Sequence, residues 1–137
     1  MELPTCLDAF ATSNPVLAGM HREADGIQAV IQAPVDKDNP SLLTERLGEL
    51  DVYLARLGDM RVRAKALKEW ARNKFLEENE AEISKMTATV SNRRIQTFLF
   101  EYSVAVERLD TMYDTVGRLS RDLVTQISFI KQEMQMR

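Results

Sequence analysis

One run of apolar residues limits the fold more than any other feature of the chain. Ile95, Phe98, Tyr102, Ala105, Leu109, Met112, Val116, Leu119 and Leu123 alternate steps of three and four without error. Such spacing puts every member on one face of an α-helix. A seam sustained over four heptads demands a partner helix along its length. After one slip, Ile127, Ile130 and Met134 carry the pattern to the end of the chain.

The partner is found upstream. Leu43, Leu47, Leu50, Leu54, Leu57, Met60, Ala64, Leu67, Ala71 and Phe75 form a second seam, with slips at Met60 and Phe75. Such slips change the supercoil locally without ending a helix. Gly48 and Gly58 each cost about 1 kcal/mol relative to alanine there. A shorter seam runs through Leu17, Met20, Ala24, Ile27 and Ile31. Asn14-Pro15 and Asn39-Pro40 mark two helix starts. Asparagine accepts from a free backbone N–H, and proline at the first helical position gives up a donor that had no partner. Pro34 closes the first helix.

These signals predict one all-α domain over residues 1–137. It comprises an N-terminal segment 1–13, a first helix over 14–33, a second over 39–86 and a third over 91–136. The second and third form a long antiparallel, coiled-coil-like hairpin over about 40–86 and 92–136. At 1.5 Å per residue each is ~65–70 Å long. The link TATVSN, residues 87–92, is short enough to make them antiparallel neighbours, with Ser91 or Asn92 as the cap. The first helix, over about 15–33, is ~28 Å long. It is expected at the open end, over residues 40–60 and 115–137. Within the first ten residues Thr5 and Asp8 fit a weak capping box. Leu3, Leu7 and Phe10 offer a small apolar patch there.

Composition excludes several function classes. Charged residues are 28% and the net charge is −3, which does not mark a dedicated nucleic-acid or membrane binder. Cys6 is the single cysteine, so the chain can form no internal disulfide. No stretch approaches the ~20 apolar residues of a membrane span. The start MELPTCLDAF lacks the pattern of a signal peptide. The expected location is cytoplasmic. His21 is the single histidine, read as a solvated or capping-type residue without spaced metal-ligand partners. Glu77, Glu78, Glu80 and Glu82 lack the glycine turn of a calcium loop and read as a solvated face. There is no Gly-rich phosphate loop, and no base stands near Cys6 in sequence. The chain is therefore read as a non-enzyme with no cofactor and no metal.

Two features remain. RVRAKALKEWARNK, residues 61–74, carries six basic side chains and one acidic one. Arg61, Lys65, Lys68 and Arg72 form a stripe. If the hairpin turns at residues 88–89, residue i faces 177 minus i, and the stripe meets Glu107, Asp110 and Asp114. The second feature is an excess of apolar side chains at the tip. Trp70, Phe75, Phe98, Leu99, Phe100 and Tyr102 exceed what a two-helix seam can hold, and such patches mark interfaces. The expected role is a helical oligomerisation and protein-interaction module. A homo-oligomer is expected, a dimer most simply, with a separate protein partner also open. The alternative is a single-stranded nucleic-acid accessory factor using Arg63, Trp70, Lys74, Lys85, Arg93 and Arg94.

ISKMTATVSNRR (83–94) followed by a helix closing in LVTQISFIKQEM (123–134) resembles small helical-hairpin proteins of phages, prophages and mobile elements. The resemblance spans residues 40–137. Those proteins are often encoded near single-strand annealing or binding proteins and have no settled activity. The resemblance implies context only, namely a bacterial or phage cytoplasm and recombination or host interference. Under the latter the chain would be a phage inhibitor of a host protein.

Overall fold

A computed structural model describes residues 10–136. The expected capping box at Thr5 and Asp8, the apolar Leu3 and Leu7, and Cys6 lie outside the described residues. The elements are α1 (Pro15–Gln32), α2 (Pro40–Glu78), α3 (Glu80–Ile83), α4 (Ala88–Phe98) and α5 (Phe100–Gln135). The domain is all-α, as its apolar periodicity requires.

Both expected Asn-Pro caps form. Asn14 Oδ1 accepts from the amides of Val16 and Leu17, and Asn39 Oδ1 from those of Ser41 and Leu42. Ala33 turns extended ahead of Pro34 and ends α1. The second shaft is continuous through Gly58 but is interrupted at Asn79. The Asn79 amide side chain donates to the Phe75 carbonyl at 2.8 Å, competing with the backbone for the same acceptor. Helical hydrogen bonds resume at once, since Ile83 N–H donates to Asn79 O. The shaft stops at Ile83, not at residue 86.

The chain reverses over residues 84–87, earlier than expected. Thr87, rather than Ser91 or Asn92, caps the returning helix by accepting from Val90 N–H at 3.3 Å. TATVSN therefore supplies the cap and first turn of α4 instead of a loop. Leu99 departs slightly from helical geometry between α4 and α5, but hydrogen bonds run through it from Ile95 to Ser103. The earlier reversal changes the register of the hairpin. Asp51, expected opposite residue 126, instead accepts from Ser120 Oγ at 3.0 Å.

α1 lies antiparallel to α2 and parallel to α5. Glu23 meets Arg56, and the Ala33 carbonyl accepts from Arg46 at 3.0 Å. On α5, Asn14 Nδ2 donates to Tyr102 Oη and Asp25 binds Arg108. The helix therefore sits further toward the tip than residues 115–137. Arg46 pins its C-terminal end inside the hairpin mouth and sends its N-terminal end up to Tyr102. The three-helix core joins Leu17, Met20, Ala24 and Ile27 to Leu50, Leu57, Met60 and Ala64, and to Ala105, Leu109, Met112 and Val116. Every one of these residues belongs to one of the three seams.

The two glycines of α2 differ. A Cβ on Gly58 would lie 3.3 Å from the Tyr113 ring, whereas one on Gly48 would meet nothing within 4 Å. Gly48→Ala is therefore expected to stabilise the fold by about 0.5–1 kcal/mol through helix propensity alone. Urea unfolding checks this value.

Candidate interaction surface at the hairpin tip

The tip is the part of the hairpin beyond the reach of α1. Only two helices meet there, so each has apolar surface that no third element covers. Phe75 on α2 stacks on Phe98 at the end of α4, with ring centroids 4.4 Å apart and planes inclined by 22°. Tyr102 follows at 6.5 Å from Phe98. Stacked rings at such spacing gain a little beyond their buried area.

The stack does not hide the rings. Phe98 is 45% exposed, Trp70 55% and Phe100 65%. Phe75 and Tyr102 are half-buried. Tyr102 stands at the lower edge of the tip, where Asn14, the cap of α1, donates to its hydroxyl. Leu99 departs from the expected surface cluster, because it is only 4% exposed and belongs to the interior. Three consecutive apolar residues cannot all face one side of a helix, and the middle one turns inward. A shallow depression of about 430 Å³ opens beside the stack, between Phe75, Phe98 and Val90 on one side and Arg93 and Arg94 on the other.

The cations near the tip are unequally committed. Arg94 pairs with Glu82 at 3.0 Å, and Arg63 with Asp59 at 3.1 Å. Lys74 Nζ lies 4.9 Å from the Trp70 ring centroid, a cation–π arrangement within one helix turn. Lys85 and Arg93 are exposed and have no ion-pair partner among the described residues. Glu77, Glu78, Glu80 and Glu82, at the end of α2 and in α3, are all exposed as a solvated acidic face.

The basic stripe is partly answered by α5. Arg61 and Lys65 both approach Asp110, at 3.7 and 3.2 Å, and Arg61 also covers the Tyr113 ring at 4.3 Å. Lys65 stands off the direction a hydrogen bond needs, so this attraction is coulombic. Lys68 and Arg72, with Glu107 and Asp114, form no ion pair among the described residues. The altered register leaves one carboxylate to serve a stripe expected to meet three.

His21 differs from its expected solvated state. It is 7% exposed, under Phe10 and against Arg108. Burial, with the adjacent guanidinium second, lowers its pKa from the ordinary value, and Asp25 only partly offsets this. The sequence signal was faint: His21 and Arg108 each adjoin a seam residue, Met20 and Leu109, so they flank the core without belonging to its apolar period.

No group of three or more His, Cys, Asp or Glu among the described residues is placed to hold a metal ion. No helix among them is long and apolar enough to cross a membrane. Comparison with protein-family models, curated proteins and solved structures finds no match.

Proposed function

We propose that this protein is a non-enzymatic helical interaction module that self-associates through its hairpin tips. The observation that carries this reading is the exposure of Phe98, Phe100 and Trp70 where α1 no longer covers the hairpin. A second copy is the favoured occupant because the tip carries both charges side by side. Glu77, Glu78 and Glu80 lie on the outgoing arm, Lys85 in the reversal and Arg93 on the returning arm. A two-fold axis through such a patch brings acid onto base while the rings bury one another. Paired two-helix tips would complete a four-helix packing that neither copy makes alone.

Amide exchange against concentration tests this. Protection over residues 88–104 should rise as the protein is concentrated, while that of α1 stays constant. Exchange at the tip that is independent of concentration would contradict self-association.

A second reading draws on Trp70 and on Arg93, which forms no ion pair among the described residues. Exposed rings beside free cations are the elements of single-strand binding. The neighbouring glutamates oppose phosphate there, which favours the protein interface.

A further inference from the structure

The residues ahead of α1 cross over α5 and are held at three points. Thr12 Oγ1 donates to Glu101 at 2.7 Å, Asn14 Nδ2 donates to Tyr102 Oη at 3.3 Å, and Phe10 covers the ring of His21 and the guanidinium of Arg108. The third point is the most enclosed. The Phe10 ring centroid lies 5.1 Å from that of His21 and 4.1 Å from Arg108 Cζ. Arg108 reaches from α5 with its side chain only 8% exposed. Its Nη2 donates to Asp25 Oδ1 at 2.6 Å, and its Nη1 lies 3.0 Å from His21 Nδ1 and 3.3 Å from His21 O.

That geometry fixes the state of the histidine. A guanidinium only donates, so Nδ1 must accept and the imidazole proton resides on Nε2. A second proton would occupy Nδ1, the atom that takes the Arg108 bond. It would replace a hydrogen bond with two like charges in contact in a mostly buried site.

We propose that His21, Arg108, Asp25 and Phe10 form a proton-operated latch that holds residues 10–14 across α5 when His21 is neutral and releases them when it is protonated. The charges around the ring support that direction. Arg108 acts from α5 and Asp25 from α1 itself. Glu107 lies beside them along the α1–α5 groove. On the α2 side, Arg56 and Glu23 hold each other at 2.6 Å. Asp25 is thus the carboxylate closest in action to the ring, and Arg108 already occupies it.

The sign follows from linkage. In the latched state the histidine's pKa is depressed below its ordinary value. A released ring titrates near ~6.5. Release therefore costs most above that pH and becomes easier as pH falls through ~6.5 toward the latched-state pKa. Within that window the open fraction grows about tenfold per pH unit, as uptake of one proton requires. The latch does not depend on association at the tip.

The test is a titration from pH 8 to pH 5 of the full chain by NMR. It follows the His21 ring together with the amides of Thr12 and Asn14. The latch predicts that His21 titrates below its ordinary value and that both amides move toward random-coil positions with the same midpoint. His21→Gln, whose neutral side chain can still accept from Arg108, should keep those amides native throughout. Phe10→Ala should release them at pH 8 with helix content retained, which keeps the proposal testable if His21→Gln fails to fold. Amides that stay native while His21 titrates would overturn it. So would release at low pH in His21→Gln, which would show that the His21 proton does not operate the latch.

Discussion

Truncating Leu57 to alanine is expected to lower the free energy of unfolding by about 2–5 kcal/mol. Leu57 is 0% exposed and sits where all three long helices converge. The lost methylenes forfeit transfer energy, and the cavity remains because α1, α2 and α5 are tied by Arg56–Glu23 and Arg108–Asp25 and cannot close over it. Chemical denaturation should show a shifted midpoint at unchanged slope. Val52→Ala, on the exposed side of the same helix, should stay within about 0.5 kcal/mol of the parent. Equal effects at the two positions would place α1 elsewhere.

Phe100→Glu is expected to abolish self-association while leaving the monomer folded. Its ring is largely exposed, so the monomer gives up little by exchanging it for a carboxylate. An isologous interface, in contrast, meets the substitution twice and must bury two like charges. Leu99→Glu, one residue earlier, should behave oppositely. Leu99 is interior, so its loss costs about 2–5 kcal/mol of fold stability before any interface is considered. Phe98→Glu falls between them, since Phe98 is both exposed and stacked on Phe75. Circular dichroism melts with mass in solution separate the cases. A folded but still associated Phe100→Glu would move the interface away from the tip.

The sequence displays the fold in proportion to how local its causes are. The Asn14-Pro15 and Asn39-Pro40 caps are decided within a few residues, and both form as expected. The seams through Leu17 to Ile31, Leu43 to Phe75 and Ile95 to Leu123 account for nearly the whole core. The reversal was less legible, because Thr87 and Ser91 are equally competent caps and only packing selects between them. That choice moved the register and left Asp110 to meet Arg61 and Lys65 alone. The exposure of Phe98, Phe100 and Trp70 was legible as an excess of apolar side chains over seam positions. The burial of Leu99 was not, since the order of three adjacent apolar residues does not say which one turns inward. The pairing of His21 with Arg108 joins residues far apart in the chain. It breaks no period and fits no motif, so only the docked position of α1 reveals it.

The central claim is self-association of the tips. Light scattering of the full chain, with and without a short single-stranded DNA at low and high salt, tests it most directly. The expected result is a mass twice the 15.6 kDa of the chain, unaffected by DNA. A mass of 15.6 kDa at every concentration, or one that rises with DNA and falls back with salt, would contradict it.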